Sequence, residues 1–197
     1  MEFLQSLKTR RSIYNINKDL KVKEKEVIEL IENVLLNTPS AFNSESQRVV
    51  VLLKEKHDLL WEIVKGEIKK LVSAEDFKKS EEKLNSFKAG YGTILFFDDN
   101  KTTTYLGEQF PLYKANFIKW AVEQNGMLQS NVWVGLGTIG IGASLQHYNE
   151  LIEERIKNEL NLDKEWTLTA QMPFGNIVEV PAEKTKKSLS ERLVVFE

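Results

Sequence analysis

Gly135-Leu136-Gly137-Thr138-Ile139-Gly140 reproduces, letter for letter, the glycine spacing of dinucleotide-binding folds. Whether the match is genuine decides between a doubly wound parallel sheet and another architecture. The motif works only when a strand runs into it and a helix starts from it, because the pyrophosphate rests on that helix's N-terminus. Here the order is reversed. Phe117 to Leu136 is mostly apolar, and Trp120, Ala121, Gln124, Leu128 and Val132 keep a 3.6-residue rhythm, which predicts a central, buried helix ahead of the glycines. The glycines therefore read as the end of that helix and the start of a turn, where missing side chains permit close backbone approach.

Outward from this helix the chain alternates between helical and extended patterns. Phe3 to Lys8 predicts a short helix. Val22 to Asn37 predicts a longer one, stopped by Pro39, with Val27, Leu30, Ile31, Val34 and Leu35 at helical spacing. Gln47 to Lys54 carries Val49-Val50-Val51 and predicts a buried strand. The helix that follows places Leu59, Leu60, Ile63, Val64, Ile68, Leu71 and Val72 on one stripe. Ser73 to Lys88 is charged and reads as a solvated helical excursion, and Asp98 to Tyr113 as a polar loop or short helix over a site. Tyr91 to Phe97, Trp166 to Met172 and Leu193 to Phe196 predict strands, and Glu150 to Leu160 a helix. No repeat or linker divides the chain, so residues 1–197 are expected to form a single domain.

Bulk composition narrows the function. With 197 residues and 42% apolar content the chain can bury a real core. The 27 basic and 29 acidic side chains nearly cancel, so no global field recruits nucleic acid or an anionic membrane. Cysteine is absent, which removes disulfides, thiolate nucleophiles and zinc–thiolate sites. Redox chemistry would have to come from a bound cofactor. The two histidines, His57 and His147, are too few for a metal site. His57 is expected at the surface. No long uncharged apolar run marks a signal peptide or membrane span, and a cytoplasmic location is expected.

Three polar clusters carry the chemistry. Arg10-Arg11-Ser12 and Ser190-Glu191-Arg192 supply guanidinium and hydroxyl donors of the kind that grip a phosphate. On its own the first also fits a helix C-terminus, where cations favour the macrodipole. Pro39-Ser40-Ala41-Phe42-Asn43-Ser44 offers a side-chain amide, Asn43, able to pair with a ring edge of alternating donors and acceptors. It equally fits a helix-stopping loop. Phe110, Tyr113, Phe117 and Trp120 could be core or could stack on an aromatic substrate.

Together, and in this order, the clusters resemble the nitroreductase family of flavoenzymes over nearly the whole chain. Gly140 to Asn149, Pro173-Phe174-Gly175 and Arg192-Leu193-Val194-Val195-Phe196 are similar to its fatty-acid-repression subgroup. The resemblance implies an α+β fold, with a mostly antiparallel sheet of four or five strands flanked by helices. It also implies an intertwined homodimer, in which the strand from Leu193 joins the partner's sheet. The implied cofactor is FMN, held by Arg10, Arg11, Ser12, Pro39, Ser40, Asn43, Gln47, Leu145, Gln146, Pro173, Gly175 and Arg192, with Ser40 and Asn43 reaching the partner's flavin. NAD(P)H would deliver hydride and leave before a nitroaromatic or quinone-type acceptor enters the same pocket. No metal and no catalytic side chain are implied. Tyr14 stands where many members carry a basic residue near the flavin; Lys18 or Lys114 could substitute, or reduction is harder and the substrate range narrower. A flavin-binding regulatory or stress-response protein without efficient turnover is the alternative, and a flavin-free interaction module a third.

Overall fold

The run Ile94-Leu95-Phe96-Phe97 allows no solvent on either side of its strand. In the computed structural model, which describes residues 2–197, strand β3 (Gly92–Asp99) has all eight residues buried. Alternation sends Ile94 and Phe96 to one face and Leu95 and Phe97 to the other. Such a strand needs cover on both faces. On one side α2 (Glu24–Asn37) and α6 (Lys114–Thr138) bring Val27, Ile31, Leu128, Val132 and Leu136. On the other, α3 (Lys54–Leu71), α4 (Ala74–Lys88) and α7 (Asn149–Leu160) bring Leu60, Trp61, Leu84, Phe87, Ile152 and Ile156.

The sheet runs β1 (Ile16–Asn17), β5 (Trp166–Ile177), β3, β2 (Gln47–Leu53), with β4 (Ile141–Ala143) also paired to β5. Every pairing between these five strands is antiparallel, and the fold is α+β. The glycines Gly135 and Gly137 lie inside α6, and Gly140 turns the chain at φ 77°, so the dinucleotide motif is a helix end. Among the described residues no helix is long and apolar enough to cross a membrane.

Several expectations change. Asp98 and Asp99 extend β3, and Asp99 caps a regular helix, α5 (Asn100–Gln109), by accepting the Lys101 N–H at 3.0 Å. Of the two readings of this segment, loop or short helix, the helix holds; the Thr102-Thr103-Thr104 run, poor in helix propensity, is what left the loop open. The charged excursion is α4, capped by Ser73, but its buried Leu84 and Phe87 make it part of the core. Leu71 and Val72 are exposed, because α3 ends there. Strand β5 continues past Met172 through Pro173 and Gly175. Leu193 to Phe196 are exposed and add no strand to this sheet.

His57 is fully buried, not at the surface. Its Nε2 lies 3.1 Å from the Lys88 carbonyl, which can only accept, so Nε2 carries the proton. Nδ1 then accepts from the Thr93 hydroxyl at 2.8 Å, and that oxygen accepts the Trp61 indole N–H at 2.9 Å. Burial holds the imidazole below its ordinary 6.5, outweighing the Lys88 hydrogen bond that favours the charged ring. The unfolded chain therefore binds the extra proton first. This contribution to stability is complete above pH 6.5 and is lost as pH falls from there through the folded-state value. Urea unfolding should show wild type losing stability relative to His57→Gln across that interval; parallel profiles would contradict the buried neutral histidine.

Candidate active site

Arg10 follows α1 (Phe3–Thr9), whose C-cap it forms, and its guanidinium lies 4.3 Å from the centre of the Trp133 ring on α6. Trp133 is fixed in turn by donating its indole N–H to the Ala143 carbonyl at 3.1 Å. The same carbonyl accepts the Ile13 N–H at 2.9 Å, and Ser12 bridges Ala143 in parallel. One backbone oxygen thus ties the Arg10–Ile13 segment, α6 and the turn after it into a single corner. The corner holds a pocket of about 400 Å³ lined by Arg10, Gly126, Gln129, Ser130, Trp133 and Leu145. Gln146, next along, is buried; its backbone pairs with Gln171 and its amide donates to Ser144 Oγ at 3.0 Å.

The loop from Pro39 builds a second site. Phe42, Asn43 and Glu45 all have positive φ (56°, 50° and 48°), unusual for residues with side chains. Asn43 donates to Glu45 Oε1 at 2.9 Å, and Ser40 Oγ accepts the Glu45 N–H at 3.0 Å. Phe42 packs its ring among Phe110, Tyr113, Phe117 and Trp120. Asn43 and Gln47 line a pocket of about 370 Å³ together with Leu35, Leu36 and Arg48. Gln47 is buried, yet its Nε2 has no hydrogen-bond partner, the one such side-chain atom among the described residues. Beneath the loop, Ser46 donates to Asp98 Oδ1 at 2.5 Å; burial pushes that carboxyl up, outweighing the Ser46 bond.

The two pockets share no lining residue. One chain brings Arg10 and Leu145 together in the first, with Ser12 held beside it by its bridge to Ala143, and Asn43 and Gln47 in the second. The profile of the Nitroreductase family matches residues 7–176. The chain belongs to the nitroreductase family. Nitroreductase FRM2 and its counterpart HBN1, both of Saccharomyces cerevisiae, are each 32% identical over 185 residues, covering 93% of this chain and 92% of theirs, and place it in the fatty-acid-repression subgroup. The structure of nitroreductase CinD from Lactococcus lactis in complex with 4-nitrophenol superposes with a TM-score of 0.91 at 40% identity, covering 100% of both chains.

Against the nitroreductase pattern, the remaining residues divide. Arg11 donates to the Ala182 carbonyl at 2.7 Å and tethers the C-terminal segment beside the Arg10 corner. Arg192 lies beyond that tether, exposed and following a 3₁₀ turn over Leu189–Glu191. Tyr14 is half-exposed, facing Asn15, Glu179 and Pro181, and Lys18 is paired with Asp58 at 3.0 Å. Among the described residues no group of three His, Asp or Glu side chains could hold a metal ion. Sequence reasoning missed Trp133 and Gly126 and placed Gln124 only in the buried rhythm of α6 without a role; Gly126, a glycine in mid-helix, and Gln124, a polar residue in an apolar stripe, were the readable marks.

Pro173 and Gly175 lie inside the sheet and line neither pocket. A Cβ on Gly175 would meet the Asn17 carbonyl at 2.5 Å and the Tyr91 nitrogen at 3.1 Å. Gly175→Ala should therefore cost roughly 1–3 kcal/mol of stability by overpacking, read from the shift in urea midpoint; an unchanged midpoint would refute the close packing of β5 against β1.

Proposed function

We propose that this nitroreductase-family chain binds FMN and transfers electrons from NADH or NADPH to nitroaromatic or quinone-type acceptors, alternately in one pocket, as a cytoplasmic homodimer. The observation that carries the cofactor reading is Gly126. A glycine at this exposed position of α6 costs about 1 kcal/mol of helix stability relative to alanine. Among the described residues, nothing outside its own stretch of helix lies within 4 Å of where its Cβ would stand, so no packing contact requires it. It lines the Arg10 pocket, and a ring or ribityl chain approaching the helix backbone would give the missing side chain a reason. Bound FMN would supply the two-electron chemistry.

The side chains present suit that group. Arg10 offers a planar fork to a phosphate, Ser12 a hydroxyl, and the tether from Arg11 keeps the segment leading to Arg192 at hand. Gln47's unpartnered amide and Asn43 offer donors to a ring edge, but from the other pocket. A second copy supplies what one chain separates. The outer edge of β2, the exposed Leu193 to Phe196, and exposed Ile118, Val122 and Met127 on α6 are the surfaces such a copy would cover. The 4-nitrophenol held by the CinD structure supports the acceptor class.

Purified protein should be yellow and release FMN, not FAD, on denaturation, because the chain offers one phosphate grip. Recovery of FAD, or no flavin after reconstitution with excess FMN, would end the reading. Gly126→Ala should act with opposite signs: apo-protein stability rises by up to about 1 kcal/mol, while FMN affinity falls in a fluorescence titration. An alanine that leaves FMN affinity untouched would remove the argument from Gly126.

A further inference from the structure

Left-handed backbone at residues with side chains costs about 1 kcal/mol or more each and persists only where surrounding contacts over-determine it. The loop 40–45 holds three such residues. What over-determines them is Gln124, buried on α6. Its Oε1 accepts the Ala41 N–H at 2.9 Å, the amide immediately before Phe42. Its Nε2 donates to Ser44 Oγ at 3.1 Å, on the other side of Asn43, and to Ser46 Oγ at 2.7 Å. Ser46 in turn donates its hydroxyl hydrogen bond to Asp98 on β3. A primary amide has two donors and an acceptor, and this one uses all of them.

We infer that Gln124 is a positioning residue for ligand binding: through Ala41, Ser44 and Ser46 it holds Asn43 at the angle from which that side chain meets the flavin ring. The inference rests on the FMN reading above. Gln124 itself lines neither the Arg10 pocket nor the pocket that contains Asn43. It acts through the loop, not on the ligand. The direction of its amide is set from the sheet side as well, because Ser46 Oγ donates to Asp98 and is left to accept from Nε2. The loop is thereby registered to β3, not merely to α6.

Gln124→Met keeps the volume and removes all three hydrogen bonds; Ser46→Ala removes only the link to the sheet. FMN dissociation constants of apo-protein, measured by fluorescence titration for wild type, Asn43→Ala, Gln124→Met and the double variant, form a cycle. Gln124→Met alone should weaken binding about tenfold. In the Asn43→Ala background the same change should cost less than about twofold, because there is no ring contact left to misplace. Ser46→Ala should follow Gln124→Met in direction with a smaller effect, and it serves as the test if Gln124→Met does not fold. Equal losses in both backgrounds, or lowered thermal stability with unchanged FMN affinity, would make Gln124 a packing residue and overturn the inference alone. Unchanged affinity in Asn43→Ala would overturn the site reading and the inference with it.

Discussion

The rotation of α6 about its own axis is the constraint on which both pockets depend, and a buried polar network fixes it. Strand β5 carries one residue too many opposite β3: Phe96 pairs with Ala170 and Phe97 with Leu168, leaving Thr169 as a bulge. The bulge loosens two carbonyls. Asn125 donates to Phe97 O at 2.9 Å, while the Thr169 hydroxyl lies 3.0 Å from Phe96 O and 2.9 Å from Asn125 Oδ1. Gln129 donates to both Asn125 Oδ1 and Thr169 Oγ1. Turning the helix would orphan these groups, at about 1–3 kcal/mol each. Apolar side chains could not do the same work, since α6 is apolar on several faces and would pack in more than one rotation.

With that rotation set, neighbouring residues point where the site needs them. Gln124, about 100° around the helix from Asn125, faces the strained loop, and Gly126, Ser130 and Trp133 face the Arg10 corner. The bulge also switches the sheet's sidedness: Leu168 faces α3 and α7, whereas Ala170, Met172 and Phe174 face α2 and α6. A single irregularity in β5 therefore seats the helix that separates the two pockets. The separation of Arg10 from Asn43 is the structural fact behind the proposed dimer, since the guanidinium beside Asn43, that of Arg48, is already paired with Asp99 at 2.6 Å, and the amide beside Arg10, that of Gln129, already donates to Asn125 and Thr169.

Much of this was legible in the sequence, for identifiable reasons. The rhythm of Trp120, Ala121, Gln124, Leu128 and Val132 marked α6 because buried positions recur at helical spacing whatever the other faces carry. The run Ile94 to Phe97 marked the central strand. The Arg10 and Asn43 clusters stood out because guanidinium, hydroxyl and amide donors suit a phosphate and a ring edge, and the structure sets them in two separate pockets. What stayed hidden depends on three-dimensional neighbours. Lys54, Glu55, Lys56 and Asp58 surround His57 in sequence and suggest solvent, whereas its partners Thr93 and Lys88 lie 31 or more residues away. The close approach of Gly175 to Asn17 and Tyr91 is likewise a packing feature that no local pattern reveals. The bulge at Thr169 leaves no mark, because its polar partners come from another element.

The central claim is that one ligand is held by Arg10 of one chain and Asn43 of another. Mixing Asn43→Ala chains with Arg10→Ala chains tests it directly, with subunit exchange established independently and NAD(P)H-dependent reduction of 4-nitrophenol as the readout. Each mixed dimer would contain one doubly damaged site and one intact site, so it should recover up to half the wild-type activity per dimer while both parents stay weak. Mixtures no more active than the average of the two parents would show that each chain builds its site from its own residues.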